Sequence, residues 1–285
     1  MIRKVGIVSK PGRADTAELL ARLLPWLDKH GVAHRLDRVS ARYLGLEDGF
    51  DRASLDDEFD LMIVLGGDGT LLSVARGVGK RETPLLAVNM GGLGFMMTTG
   101  QEEIFAVLEE TLEGNFEVQC RTVLEAKVIR GGASIASYLA LNDVVVNKAA
   151  IARLLQLEIF INDEFMCTYR ADGLILSTPT GSTAYSLAAG GPIMLPSVEA
   201  LCVTPICPHT LSNRPVVVPE SARIQVVFQG GDDTTYMTVD GQVGLNLQIG
   251  DRIEAAKASH CVRVVQPKNV RFFDVLRSKM HWGGR

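Results

Sequence analysis

The most informative stretch of the chain is LMIVLGGDGTLLSVA, residues 61–75. The run of large apolar residues from Leu61 to Leu65 stops at two glycines, which is typical of a buried strand that ends in a tight turn. The residues from Leu71 onward can start a helix. Glycines let an anion approach the backbone closely, and the N–H groups at a helix start favour phosphate. The stretch therefore predicts a phosphate-binding strand–turn–helix unit with one carboxylate, Asp68, inside it.

A carboxylate inside a phosphate-binding turn can activate a hydroxyl group or hold a metal ion, so the first hypothesis is phosphoryl transfer. Glycine and aspartate also favour ordinary turns. Because short motifs carry false positives, residues 66–70 alone leave a purely structural turn open as the alternative.

The first 115 residues repeat the order strand, turn, helix. Strands are predicted at 5–9, 61–65 and 84–89, and helices at 16–30 and 101–112 as well as after residue 70. A second glycine-rich turn, GGLG at 91–94, follows the third strand. This order is typical of a parallel sheet covered by helices, in which ligands bind beyond the carboxyl ends of the strands. We therefore expect both glycine-rich turns to face one crevice.

The pattern changes after about residue 115 to many short strands with few helices, which predicts a second, β-rich domain. We divide the chain into an α/β domain at 1–115, a β-rich domain at 116–265 and a C-terminal segment at 266–285. Apolar spacing in that last segment predicts a helix that packs back on the body of the protein.

Composition narrows the class of protein. The 285 residues are 47% hydrophobic and 22% charged, which is typical of a soluble globular protein. The net charge of −4 gives no electrostatic sign of nucleic-acid binding. No stretch approaches the roughly 18 apolar residues of a membrane span. Five cysteines without a C-x-x-C pair predict reduced, packed thiols and a cytoplasmic protein.

Two stretches of the second domain carry more polar groups than packing requires. Asn142 and Asp143 open an apolar strand and place an amide beside a carboxylate, which can bind ribose hydroxyls or a base edge. An Asx turn is the alternative for this pair. The stretch STPTGSTAYS, residues 177–186, has more hydroxyls than one helix cap needs. It predicts a polar surface for a nucleotide, with Tyr185 available for stacking, and a generic Ser/Thr loop is the alternative.

Together these motifs resemble the NAD kinase family, whose members phosphorylate the adenosine 2′-hydroxyl of NAD to give NADP. The GGDGT motif alone is shared with diacylglycerol and sphingosine kinases and, in similar form, with phosphofructokinases. Its combination with the two polar stretches is what resembles NAD kinases, and PHTLSNRP at 208–215 and DGQ at 240–242 also fit. The similarity runs along nearly the whole chain and is closest to bacterial members.

The resemblance implies a role for each matching residue. Asp68 would be the general base that takes the proton of the ribose hydroxyl as it attacks the γ-phosphate of ATP. The residues implied to hold phosphate are Gly66, Gly67, Gly69 and Thr70. The residues implied to bind NAD are Asp68, Gly69, Asn142, Asp143, Arg153, Arg170, Asp172, Thr183, Ala184, Tyr185, Ser186, Leu187, Ala188 and Gln242.

The resemblance also implies partners and leaves rivals. A divalent cation, with Mg²⁺ expected, would arrive with ATP rather than on protein ligands. Dimers or tetramers of identical chains are expected. A lipid kinase of the diacylglycerol or sphingosine type is one alternative, and it should show an acyl-chain pocket or a membrane-binding stretch. A non-catalytic dinucleotide sensor is the other, and it would not need Asp68.

Overall fold

The computed structural model describes residues 2–52, 55, 58–91, 94–97, 99–148, 154–210, 212–231, 235–267 and 271–282. The chain divides into two compact units. The first unit comprises Met1–Cys120 and Val262–Arg285, and the second comprises Arg121–Cys261.

The elements follow one another in this order. The first stretch contains β1 (Lys4–Ser9), α1 (Ala14–Lys29), β2 (Ala33–Leu36), α2 (Arg38–Tyr43), β3 (Leu61–Gly66), α3 (Asp68–Val78), β4 (Leu85–Asn89), β5 (Thr99–Gly100) and α4 (Ile104–Leu112). Then come β6 (Glu117–Arg130), β7 (Ala133–Ala140), β8 (Asp143–Lys148), β9 (Leu155–Ile161), β10 (Glu164–Ala171), β11 (Gly173–Ser177), α5 (Tyr185–Ala188), β12 (Ala200–Ile206) and β13 (Val216–Pro219). The chain continues with β14 (Ile224–Gly230), β15 (Thr235–Val239), β16 (Val243–Asn246), β17 (Arg252–Gln266) and α6 (Phe272–Met280).

The first unit is built on a parallel sheet in the order β2-β1-β3-β4. All six residues of β3 are buried, as expected for a strand covered by helices on both faces. Helix α1 contributes Leu19, Leu20, Leu23 and Leu27 to the same core cluster as β1 and β3. Since the strands are parallel, their carboxyl ends at Ser9, Gly66 and Asn89 lie at one edge of the sheet. That edge carries both glycine-rich turns.

The second unit consists of antiparallel sheets. One has the six strands β13-β12-β11-β8-β15-β16. Strands β10, β9, β14 and β17 form another ladder, and β6 pairs with β7. The buried side chains of both ladders form one core, and β9 alternates buried and half-buried residues as a half-covered strand should. Leu157, Val226 and Met237 are examples of the side chains buried in this core.

The predicted fold class is confirmed: a parallel α/β unit, a β-rich unit and a C-terminal helix that buries Val275 and Leu276. The sequence analysis missed β2, β5, β12, β13 and β16, which are short or lack a clear alternating pattern. The hydroxyl-rich stretch 177–186 contains a 3₁₀ turn at Thr180–Thr183, which is followed by the single-turn α5. No helix among the described residues is long and apolar enough to cross a membrane.

The prediction of reduced cysteines holds for three of the five. Cys167, Cys202 and Cys207 are free thiols. Cys120 and Cys261 are disulfide-bonded, which corrects the expectation for those two. The cysteines therefore give no guide to the compartment of the protein.

Candidate functional site

The first glycine-rich turn joins the buried strand β3 to helix α3. Gly67 is extended, with φ −133° and ψ −176°, and its carbonyl accepts the N–H groups of Thr70 at 2.9 Å and Leu71 at 3.2 Å. A Cβ on Gly66 would lie 2.8 Å from Cβ of Thr70, so this position has no room for a side chain. A Cβ on Gly67 would meet nothing within 4 Å. The backbone at Gly67 is therefore open to an approaching anion.

The second glycine-rich turn meets the first at Asp68. The Asp68 carboxylate accepts the backbone N–H of Phe95 at 3.2 Å and of Met96 at 3.3 Å. A Cβ on Gly94 would lie 2.8 Å from Cγ of Asp68. The Met90 N–H also bonds the carbonyl of Gly66 at 2.9 Å. The two glycine-rich turns therefore lie side by side at Asp68, and a crevice that both of them face stays a prediction.

The surroundings of Asp68 make it a better proton acceptor than a solvated carboxylate. Burial raises the pKa of Asp68, opposed by the N–H groups of Met96 and Phe95 and by the positive charge of Lys279 on α6. A raised pKa makes a carboxylate a stronger base. Asp68 is thus suited to act as a general base.

A cavity of about 540 Å³ lies in the second unit, within the size range of small-ligand sites. Its lining consists mainly of residues from β8 and β15 and at the start of α5. The lining residues are Asn142, Asp143, Val145, Asn147, Lys148, Ala184, Tyr185, Tyr236, Thr238, Asp240 and Gly241.

Two carboxylates share this cavity but differ in environment. Asp240 accepts the N–H groups of Leu141 at 3.1 Å, Asn142 at 2.7 Å and Asp143 at 3.2 Å. These three bonds tie the Asp240 carboxylate to the backbone where β8 begins. Burial, and then the charge of Asp240, raise the pKa of Asp143 to about 7, against the opposing N–H of Tyr185. Asp143 can therefore hold a proton near neutral pH.

A cation and an unpaired amide oxygen complete the polar lining. Lys148 forms an ion pair with Asp172, with Nζ 2.5 Å from Oδ1. Among the described groups, Oδ1 of Asn142 is buried and has no hydrogen-bond partner. Since buried polar atoms are rarely left unpaired, this oxygen suits a ligand hydroxyl or amino group.

Most hydroxyls of the stretch 177–186 are used inside the protein. Thr178 donates to the carbonyl of Leu141 at 2.5 Å and accepts the N–H of Gly181 at 3.1 Å. Ser182 accepts the N–H of Met194 at 2.7 Å, and Ser186 is bonded to Thr204 at 2.9 Å. The hydroxyls of Thr178, Ser182 and Ser186 thus stabilise the fold around this turn, and nucleotide binding by the stretch stays a prediction. Ala184 and Tyr185 are the members of the stretch that line the cavity.

The structure brings together some of the predicted site residues. Asn142, Asp143, Ala184 and Tyr185 share the cavity, whereas Arg170, Asp172, Thr183, Ser186, Leu187, Ala188 and Gln242 are not among its lining residues. Arg153 lies outside the described residues. In the first unit, Gly66, Gly67, Asp68, Gly69 and Thr70 occupy the turn and the first turn of α3.

Sequence reasoning assigned no site role to Asn147, Lys148, Tyr236 and Thr238, and noted Asp240 only as part of the DGQ motif. The two-residue period of the strands gave a sequence signal for most of these residues. Asp143 and Asn147 share one face of a strand by the two-residue period, as do Tyr236 and Asp240. What the sequence did not reveal is that β8 and β15 pair, with Tyr236 opposite Asn147. No group of three or more His, Cys, Asp or Glu side chains within the described ranges could hold a metal ion.

Comparison with known proteins identifies the family. Residues 5–116 match the family model of the ATP-NAD kinase N-terminal domain, and residues 141–266 match that of the ATP-NAD kinase C-terminal domain. The chain belongs to the ATP-NAD kinase family. The resemblance inferred from the motifs is thus confirmed.

Relatives support this membership over the full length. The NAD kinase of Solibacter usitatus (strain Ellin6076) is 47% identical over 285 residues, covering 100% of this chain and 99% of the relative. The NAD kinase of Geobacter sulfurreducens is 43% identical over 284 residues and is covered completely. As a member of this kinase family the protein is a phosphotransferase, and neither the lipid kinase nor the sensor is favoured.

Solved structures show the same fold. The yeast NADH kinase complexed with NADH has a TM-score of 0.91 at 28% identity, and the match covers 100% of this chain and 89% of that one. An NAD kinase from Archaeoglobus fulgidus in complex with ATP has a TM-score of 0.76 at 24% identity, with 99% and 100% covered. The second likeness concerns the fold alone.

Proposed function

We propose that the protein transfers the γ-phosphate of ATP to the 2′-hydroxyl of the adenosine ribose of NAD, giving NADP and ADP. The observation that carries this proposal is Asp68. It is a carboxylate with a raised pKa, held by backbone N–H groups between two glycine-rich turns. Phosphoryl transfer needs positioning and charge neutralisation more than covalent help. The glycine turn positions phosphate through its backbone, and Asp68 supplies the base.

Asp68 acts as the general base in this proposal. It takes the proton of the 2′-hydroxyl while that oxygen forms its bond to the γ-phosphorus. The bond between the γ-phosphorus and the bridging oxygen breaks, and ADP leaves with the electron pair. The open backbone at Gly67, with Gly66, Gly69 and Thr70, holds phosphate at the start of α3.

The cavity of the second unit binds NAD in this proposal. The buried Oδ1 of Asn142 accepts from a ribose hydroxyl or an adenine amino group. Asp143 contributes a carboxyl group and Tyr185 a ring face. The other residues assigned to NAD are Ala184, Arg153, Arg170, Asp172, Thr183, Ser186, Leu187, Ala188 and Gln242. Residues 1–115 would then handle phosphate, and residues 116–265 the dinucleotide.

A divalent cation fits the phosphate-binding turn. Mg²⁺ keeps several waters and is commonly bound through substrate phosphates, so it would enter on the phosphate chain of ATP, while Asp68 serves as the base. When bound, the ion would neutralise charge on the phosphate oxygens. We further propose a cytoplasmic homo-oligomer, a dimer or tetramer, without nucleic-acid or membrane partners.

The direct test is product formation. Purified protein with ATP, Mg²⁺ and NAD is expected to give NADP, measured with an NADP-specific dehydrogenase. Diacylglycerol and sphingosine serve as control acceptors and are expected to remain unphosphorylated. Folded protein that forms no NADP under these conditions, or that phosphorylates a lipid instead, refutes the proposal.

The raised pKa of Asp143 predicts a pH-dependent stability. Its folded-state pKa of about 7 exceeds the value of about 3.9 for an unfolded chain. Below about pH 4 both states are protonated and this contribution is fully present. It is lost as the pH rises through about 7. The thermal midpoint of Asp143→Asn minus that of the wild type should therefore increase between pH 5 and pH 8, by on the order of 5 °C.

Asp60→Asn is the matched control for this titration. The backbone N–H groups of Arg3 and Lys4 lower the pKa of Asp60, so its contribution is lost only as the pH falls through that low pKa. Its difference from wild type should stay constant between pH 5 and 8. A flat difference for Asp143→Asn as well would contradict a pKa near 7 for Asp143.

A further inference from the structure

We propose that Lys10 and Arg13 form a subsite for the phosphate chain of the donor, a chain of phosphoanhydride-linked phosphates. This subsite deepens the proposed function and rests on it. Neither residue belongs to the glycine-rich motifs. Both lie in the first unit, just beyond the carboxyl end of β1.

A tight turn holds the backbones of Lys10 and Arg13 close together. The turn Lys10-Pro11-Gly12-Arg13 has Pro at its second position and Gly, with φ +78°, at its third, as in a type II turn, which brings the first and fourth residues within about 7 Å. The hydroxyl of Tyr43 accepts the N–H of Arg13 at 2.8 Å and donates to the carbonyl of Lys10 at 2.8 Å. The Tyr43 hydroxyl therefore links the two ends of the turn.

Each of the two residues lies against a glycine of one of the two turns that meet at Asp68. The Lys10 N–H bonds the carbonyl of Leu65 at 2.8 Å, and Cβ of Lys10 lies 3.2 Å from where a Cβ on Gly66 would sit. Nη1 of Arg13 lies 2.9 Å from the corresponding position on Gly91. Lys10 is thus beside the first turn and Arg13 beside the second.

The guanidinium of Arg13 is held in a fixed orientation. Asp15 accepts its Nε at 3.0 Å and its Nη2 at 2.7 Å. Asp15 also accepts Nε2 of Gln101 at 3.1 Å. These bonds leave Nη1 on the side of Gly91. Arg13 therefore contributes directed N–H donors, while Asp15 offsets much of its charge.

Lys10 supplies the charge that Arg13 does not. Its side chain is exposed, and no carboxylate in the described part of the chain forms an ion pair with it. A chain of phosphates carries several negative charges, which backbone N–H groups alone do not neutralise. A Lys ammonium beside an Arg fork is a suitable pair for such a ligand. An ordinary surface pair would explain Arg13 and Asp15 but not the placement of Lys10.

The test compares Lys10→Met and Arg13→Met with Lys29→Met. Lys29 is an exposed lysine at the far end of α1, about 24 Å along the helix axis from its start. Removal of either cation is expected to raise the KM for ATP about 10-fold or more, with the KM for NAD changed less than about twofold, because each forms strong charge-assisted hydrogen bonds to phosphate. Lys29→Met should leave both KM values unchanged, and Lys10→Arg should restore most of the loss.

Two competitors identify the chemistry that is bound. Inorganic triphosphate should inhibit the wild type and lose potency in Lys10→Met by the same factor as ATP, whereas adenosine should inhibit both equally. Inorganic polyphosphate is also tried as a donor with NAD, which separates a nucleotide source of phosphate from an inorganic one. Thermal midpoints of all variants check the fold.

The outcomes separate this subsite from the proposed function. Wild type that forms NADP, with an unchanged KM for ATP in Lys10→Met, overturns the subsite and leaves the function standing. Wild type that forms no NADP refutes the function itself. If Arg13→Met unfolds because its ion pair with Asp15 is lost, Lys10→Met decides the test alone, because the Lys10 side chain is exposed.

Discussion

Replacing Asp68 with Asn is expected to lower kcat by about 10²–10⁴-fold, the usual contribution of a positioned base, while the protein stays folded. The amide of Asn cannot take the proton of a ribose hydroxyl at neutral pH. It keeps the shape of the carboxylate and one oxygen that can accept the N–H of Phe95 or Met96. The measurement is kcat for NADP formation, together with the thermal midpoint.

Stability is expected to change little in this variant. Burial raises the pKa of Asp68, which means that the charged form is disfavoured at this position. A neutral amide removes that cost while giving up one of two hydrogen bonds. The two effects oppose each other, so a large loss of activity cannot be ascribed to unfolding.

Asp60→Asn is the control at the opposite end of the same strand. Asp60 precedes β3 and, like Asp68, accepts two backbone N–H groups, those of Arg3 at 2.7 Å and Lys4 at 2.9 Å. Here the hydrogen bonds lower the pKa, so the substitution should cost stability and leave kcat unchanged. Equal kcat losses in the two variants, or none in Asp68→Asn, would remove Asp68 from the catalytic role.

The sequence predicted the parts of the site that are local in the chain. Strand β3, its glycine turn and helix α3 follow one another within residues 61–78, and each leaves its own pattern of apolar residues and glycines. The alternation of strands and helices then indicates a parallel sheet with the turns at one edge. These inferences need no contact between distant residues.

Contacts across long stretches of chain were not predictable in this way. The partners of Asp68 lie 27 and 28 residues away, and the cavity depends on the pairing of β8 with β15. The hydroxyls near Ser182 show a different difficulty. The sequence shows how many hydroxyls this stretch has. Only the fold shows that Ser182 and Ser186 are buried and hydrogen-bonded to Met194 and Thr204.

Gly94→Ala is expected to lower kcat by about 10²-fold without touching a reacting group. The added Cβ would lie 2.8 Å from Cγ and 3.0 Å from Oδ2 of Asp68, and closest to Oδ1. The carboxylate must then move by on the order of 1 Å, and displacements of that size can cost about 10²-fold in rate. Because the backbone of Gly94 is not in the left-handed region, alanine itself is conformationally allowed there.

Gly100→Ala makes the same change six residues further on and serves as the control. Its nearest neighbour would be Oε2 of Glu103 at 3.3 Å, the far end of a flexible side chain, so kcat should be unchanged. The decisive comparison is the double variant. If Gly94→Ala acts by displacing Asp68, it should cost little more once Asp68 is already Asn, since residues that act through one another are not additive. If the kcat losses of Gly94→Ala and Asp68→Asn multiply in the double variant, the added methyl group obstructs the path of the phosphate independently of the base.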